Sequence, residues 1–286
     1  MTIAEALRGA SATLAAAGID TAELDAELLL RHVLGWDRAR LLAAARDPLP
    51  EPAGSSFRAL VAQRATRRPL QHLTGVQAFW RHDFVVSPDV LIPRPETELL
   101  VETALQLVRD VSSPIIVDVG TGSGCIAISL ALERPDARVV AIDLSAAALA
   151  VARANVERLG ADVQLVRGDL LDALRGPVDL VVSNPPYVDP AQRGGLMPEV
   201  RDHDPALALF APEGALALYA RLAREAAVVL RPDGVLAVEV GAGMGDDVAH
   251  TFTGAGLTEP HLRLDLQSIP RVVLVRSLRS LDERMH

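Results

Sequence analysis

Half of the 286 residues are hydrophobic and only 3% aromatic, the composition of a folded globular chain and not of a disordered one. The formal net charge is −9: residues 1–75 hold nine Arg against eight acids, which leaves −10 for the remainder, and the chain has no Lys. That acidic excess argues against a protein that grips a long stretch of nucleic-acid backbone, so direct nucleic-acid binding is not expected.

Up to residue 74 the chain reads as short helices: IAEALRGASATLAAAG, then DTAELDAELLLRHVLG with Asp20 placed to cap and Gly35 placed to stop, then DRARLLAAAR and SSFRALVAQRATR. A small helical bundle over 1–74 fits, with Arg64, Arg67 and Arg68 either on a solvated helix face or facing an acidic partner or RNA. From Gly75 the β-branched and aromatic stretch GVQAFWRHDFVVSPDVLI predicts a hairpin linker over 75–95. Pro95 is preset for a first helical turn, with Glu96 and Glu98 near its positive end. Arg94 and Glu96 suit either closure over a bound ligand or a plain helix start.

Over 96–286 short apolar strands alternate with amphipathic helices: PIIVDVG then CIAISLALE, ARVVAIDLS then AAALAVARANVERLG, VQLVRGD, VDLVVSNPPY, and GVLAVEVG after APEGALALYARLAREAAVVL. Continuous apolar runs between helices predict an α/β fold with a mostly parallel, doubly wound sheet covered on both faces. The tail HLRLDLQSIPRVVLVRS adds two antiparallel edge strands. Cys125, the single cysteine, excludes an internal disulfide and any multi-cysteine metal site, and it reads as a small packing residue. With no apolar run near the roughly 18 residues of a membrane span and an acid in MTIAEALRGA, the expectation is a soluble, cytoplasmic monomer without membrane contact or metal. His72, His82 and His203 read as surface residues.

Ligands of such sheets sit at the carboxyl ends of the strands. The loop DVGTGSG, 118–124, has GxGxG spacing, not the GxGxxG of dinucleotide folds, and Asp118 would repel a pyrophosphate but attract an ammonium. Asp143 ends the second strand, where a carboxylate accepts both ribose hydroxyls, and Asp169 ends the third, where it meets an adenine amino group. Each acid alone could be a cap or a loop charge. The set resembles the class I S-adenosylmethionine-dependent methyltransferases, whose fold carries seven strands; the resemblance implies that Gly120, Thr121, Gly122, Ser123, Gly124, Leu170 and Asn184 also contact that methyl donor.

The fourth strand delivers NPPY, 184–187, to the donor's side. An amide or aryl amine nitrogen is a poor nucleophile because its lone pair is delocalised, so a site that methylates it must hold the N–H groups and aim the lone pair. Asn184 offers a side-chain carbonyl, Pro185 its backbone carbonyl, Pro186 stiffens the loop, and Tyr187 presents a flat face. NPPY fixes the atom type, not the substrate. G75…F79…F84…V86…LIPRPETE (91–98), taken with DVGTGSGCIAISLA and VSNPPYV, closely resembles the HemK/PrmC family, the peptide chain release factor glutamine methyltransferases. It departs at Leu170, near which family members often carry an aromatic. The resemblance implies transfer of a methyl group from S-adenosylmethionine to N5 of the glutamine in a release factor's GGQ motif. Asn184 to Tyr187, with Arg94 and Glu96, would hold that glutamine. A nucleic-acid amino methyltransferase is the second reading, and a non-catalytic S-adenosylmethionine-binding assembly factor a distant third.

Overall fold

The structure, a computed structural model, describes residues 1–277. Its chain forms two compact units, one from Met1–Val76 with Leu196–His203, the other from Gln77–Gly195 with the residues from Asp204 onward. The end of the expected second domain, 278–286, lies outside the described residues.

In the first unit the helix Ile3–Ala16 opens on a capping box, in which Thr2 Oγ1 accepts from Glu5 N at 3.2 Å and Glu5 Oε2 from Thr2 N at 2.8 Å. Gly35 ends the helix Ala22–Leu34 in the left-handed region, as its position predicts, but the start differs from the expected Asp20 cap. Thr21 is the N-cap, and its hydroxyl donates to Asp25 Oδ1 at 2.9 Å in place of capping the backbone. Helices Arg38–Ala43, Glu51–Ala65 and Leu70–Thr74 follow, around a core of Leu14, Leu29, Leu30, Leu41 and Phe57.

The expected solvated arginine face is overturned at Arg64. Its side chain is 7% exposed; Nε donates to Asp25 Oδ2 at 2.7 Å and Nη1 to Glu199 Oε1 at 3.0 Å. Arg67 donates to the other Glu199 oxygen at 2.8 Å, and Arg68 to Gln63 Oε1 at 2.7 Å. Glu199 lies on the short helix Pro198–His203, remote in sequence from these arginines, and only the fold brings it to them.

The hairpin expected inside 75–95 follows, β1 (Val76–Phe79) and β2 (His82–Val85), and the second unit starts within it at Gln77. Phe79 and Phe84 meet edge to face, with centroids 6.0 Å apart, and pack into the core of the sheet below. That sheet holds β3 (Ile115–Val119), β4 (Arg138–Asp143), β5 (Val163–Arg167), β6 (Val178–Ser183), β7 (Leu230–Glu239), β8 (Leu257–Leu264) and β9 (Pro270–Ser277). Their order across it is β5-β4-β3-β6-β7-β9-β8. The strands are parallel through β7; β9 joins antiparallel between β7 and β8, so the two expected tail strands are present.

Strand alternation divides the core in two. Ile116, Val139, Leu180 and Ala237 face the helices Glu98–Leu107 and Cys125–Glu133; Val117, Val140, Val181 and Leu236 face Ala215–Val229 and Gly245–Gly254. Strand order reverses between β3 and β6, which leaves a crevice at their carboxyl ends. Among the described residues no helix is long and apolar enough to cross a membrane.

Candidate active site

A cavity of ≈ 330 Å³ opens at that crevice, with Gly120, Asp143, Leu170, Asn184, Pro186 and Phe210 in its wall. One side is the loop after β3, where Gly120, Gly122 and Gly124 take φ of 74°, 56° and 82°. A Cβ built on Gly120 or Gly122 meets nothing within 4 Å, so a ligand can approach the backbone there. At Gly124 it would stand 2.9 Å from Ile128 Cδ1; this glycine serves the close packing of loop on helix. Thr121 and Ser123 line the cavity, Gly124 does not.

Asp118 is placed differently from its expected contact with a ligand. It is fully buried and outside the cavity wall, turned under the loop, where Oδ2 accepts from Thr121 Oγ1 at 2.6 Å and from Ala127 N at 3.3 Å. Burial pushes its carboxyl up to about 7. Burial likewise pushes the Cys125 thiol up to about 12, which suits packing and not reactivity.

Asp143 does line the cavity. Its Oδ2 accepts from Gly122 N and its Oδ1 from Ser145 N, each at 2.8 Å, which leaves lone pairs on both oxygens for further donors. Burial raises its pKa against those bonds. Asp169 also reaches the wall, but Arg221 grips its carboxylate with two bonds, 2.6 and 3.0 Å, so an amino group there would share an occupied acceptor. Leu170 stands beside it with a φ of 52°, a strained apolar wall.

Across the cavity β6 ends at Ser183, whose hydroxyl donates to Val119 O at 2.7 Å and so ties the two strand ends. Of the NPPY residues, Asn184 and Pro186 line the cavity, Pro185 is buried, and Tyr187 packs away from it, near enough that a Cβ on Gly241 would meet its ring at 3.0 Å. Asn184 Nδ2 donates to Thr97 Oγ1 at 3.1 Å. Arg94 lines the cavity while its Nη2 donates to Asp204 Oδ2 at 2.7 Å; Glu96 stands outside the wall. Burial pushes Asp204 up to about 6 despite that partner.

Two family models match the chain, the PrmC N-terminal domain over residues 5–75 and the methyltransferase small domain over 95–201. The release factor glutamine methyltransferase of Cereibacter sphaeroides is 44% identical over 280 residues, 96% of this chain and 99% of that one. The chain belongs to the release factor glutamine methyltransferase family. A second member, from Mycolicibacterium smegmatis, is 48% identical over 276 residues, 94% of this chain and 95% of that one. A methyltransferase of solved structure from Pyrococcus furiosus superposes with a TM-score of 0.51 at 17% identity, over 78% of this chain and 98% of that one, and so shares the fold.

Several residues of this family member's site escape a reading of sequence spacing. Thr97 hides inside a helix start signal, Asp204 ends the charged run RDHD and Phe210 the apolar stretch after it, and Glu239 ends β7 in an ordinary strand pattern. A second hollow, ≈ 430 Å³, lies beside β4 and β5 with Arg138, Gln164 and Arg175 in its wall. Neither the GxGxG loop nor NPPY lies in its wall.

Proposed function

We propose that this chain transfers the methyl group of S-adenosylmethionine to N5 of the glutamine in the GGQ motif of peptide chain release factors. The observation that carries the proposal is similarity over nearly the whole chain to proteins named release factor glutamine methyltransferase, at 44% and 48% identity.

The residues present fit the donor. The cavity stands at the carboxyl strand ends, Gly120 and Gly122 leave open backbone, Asp143 keeps lone pairs for ribose hydroxyls, and Leu170 and Phe210 give apolar walls for a flat base. When bound, S-adenosylmethionine supplies an electrophilic methyl group on its sulfonium. Asp118 serves the same site from beneath, by holding Thr121 and the first turn of Cys125–Glu133.

The chain's task toward the substrate is orientation. Asn184 Oδ1 on the cavity wall accepts one amide hydrogen, and the backbone carbonyl of Pro185, the next residue of the loop, takes the second. With both hydrogens held, the nitrogen lone pair is aimed and the amide cannot rotate. Pro186 restricts the loop, Tyr187 fixes it from the far side, and Arg94 with its partner Asp204 closes one wall. The test offers methyl-labelled donor to the full-length protein with intact release factors, with a factor whose GGQ glutamine is replaced, and with DNA and ribosomal RNA. Label on the intact factors alone is expected; label on nucleic acid, or on the replaced factor, overturns the proposal.

A further inference from the structure

Asn184 can serve as an acceptor only if its amide is turned the right way, and one contact does not decide that. Thr97 Oγ1 sits 3.1 Å from the amide nitrogen, but a hydroxyl both donates and accepts, so it would tolerate either end of the amide. A third group breaks the tie. Glu239 closes β7, one step past Val238, which pairs with Ser183 in the parallel register, so its carboxylate stands beside Asn184 at the same edge. It is 2% exposed, lies outside the cavity wall, and stands near enough to the side chains of Thr97 and Asn184 for both to favour its charged form. The Tyr219 hydroxyl donates to its backbone carbonyl at 2.8 Å, which fixes the residue's position.

We propose that Glu239, with Thr97 as relay, is a positioning residue that turns the Asn184 amide with its NH₂ inward and its Oδ1 toward the substrate. An ionised carboxylate only accepts. Thr97 therefore gives its single hydrogen to Glu239, its oxygen is left to accept, and the inward end of Asn184 must be the donor. Oδ1 then points into the cavity, where the amide hydrogen of the glutamine arrives. A protonated Glu239 removes the constraint, because its own hydrogen can go to Asn184 Oδ1; the flipped amide would present N–H to N–H. An apolar residue would fill this buried position at far less desolvation cost, and one carboxylate oxygen, Oε2, has no partner in the structure.

The inference rests on the proposed methylation and deepens it. It predicts that turnover depends on the ionisation of Glu239, which burial pushes up to about 7, with Glu96 raising it further and Arg271, Thr97 and Asn184 opposing. Tyr187 and Tyr219 also face it, as neutral phenols at working pH, their own pKa values raised by burial and by Glu239. Asp118 and Asp204 titrate nearby, so the decisive readout is a difference between proteins, not one profile.

The experiment measures kcat and KM for labelled methyl transfer to an intact release factor at saturating donor, from acid to alkaline pH. The proteins are the full-length chain, Glu239→Gln, Thr97→Val and Thr97→Ser, with donor affinity measured alongside for Glu239→Gln. For Glu239→Gln, kcat should fall about 10-fold or more, within the range that orienting outer-shell partners carry, with donor affinity kept and the acidic limb near neutrality lost. Thr97→Val should fall similarly, and Thr97→Ser, which keeps the hydroxyl, should return to within about threefold of the parent. Unchanged kcat and pH profile in Glu239→Gln overturns the proposal, as does a Thr97→Ser protein no better than Thr97→Val; the second comparison decides alone if Glu239→Gln does not fold. A parent that labels no release factor overturns the methylation itself and the positioning with it, whereas an active parent with an indifferent Glu239→Gln overturns the positioning only.

Discussion

The two sides of the crevice are built alike and held differently. Each places a polar loop over a carboxylate that burial pushes up to about 7: Asp118 beneath the glycine loop and Glu239 beneath NPPY. Asp118 binds groups three and nine residues along the chain, so the side we propose for the donor is a local structure, a strand, a turn and a helix start. Glu239 lies near Thr97 and Asn184, themselves 87 residues apart, so the side we propose for the methyl acceptor exists only when three segments of the fold have met. A local loop suits a ligand common to many enzymes; a site assembled from distant segments is where one fold acquires its own substrate.

If the division is real, substitutions on the two sides should damage different constants. The largest effect belongs to Asn184→Ala. Removing one preorganised polar group from the reacting centre should lower kcat by about 10²- to 10³-fold, with donor affinity within about twofold of the parent. Single-turnover methyl transfer and calorimetry on the same preparation check both halves, and a protein with intact kcat would remove Asn184 from the acceptor side.

Asp143→Ala is the converse. Losing a charged acceptor from the donor side should weaken S-adenosylmethionine binding by about 1.5 to 3 kcal/mol, while kcat at saturating donor stays near the parent value. Unchanged affinity in a folded Asp143→Ala protein, or a kcat loss that saturation does not recover, would collapse the comparison.

The same asymmetry explains what a reading of the sequence reaches. The sheet is legible because each strand is a continuous apolar run and each helix has its own period, and the GxGxG loop, Asp143 and NPPY follow from short spacings. The spacing of Asp118 suggests a ligand contact, and only strand geometry shows the carboxylate turned under the loop and outside the cavity wall. Glu239, Thr97 and Asp204 leave no local mark, because a carboxylate that pairs across the fold looks like any other in sequence. Arg64 and Glu199 are the extreme case, a buried ion pair between residues 135 apart in a unit whose second piece, Leu196–His203, no pattern predicts. One consequence is practical: a chain cut near Val76 would leave Glu199 without Arg64 and Arg67.

The two buried carboxyls also make a joint prediction about stability. Each binds its proton more tightly folded than unfolded, so the stability it contributes is present below the ordinary carboxylate range and is lost as pH rises through about 7. Asp136 and Asp265, whose pKa values are lowered by hydrogen bonds to Arg134 and to Ile269 N respectively, act only at lower pH and do not offset this. Urea unfolding of the donor-free protein should therefore give a lower unfolding free energy at about pH 8 than at about pH 6, by on the order of 1 kcal/mol for each group. Glu239→Gln should remove one share and leave that of Asp118. A flat profile, or one that rises with pH, would mean that the two carboxyls are not buried as the structure has them.

The smallest effect should come from Tyr187→Phe, and it locates the edge of the acceptor side. Burial pushes the Tyr187 phenol up to about 12, so at any assay pH near neutrality the hydroxyl is neutral and neither takes nor releases a proton. The ring lies outside the cavity wall, against Gly241, where its work is to hold the NPPY loop from behind. Phenylalanine keeps the ring, its area and its contacts, so kcat should stay within about threefold of the parent, no more than the worth of one neutral hydrogen bond. Gly241→Ala disturbs the same support without touching Tyr187 chemically, since its new methyl group would stand 3.0 Å from the ring and either the ring or the loop must move. A Tyr187→Phe protein more impaired than Gly241→Ala would place the hydroxyl, and not the ring, in the reaction.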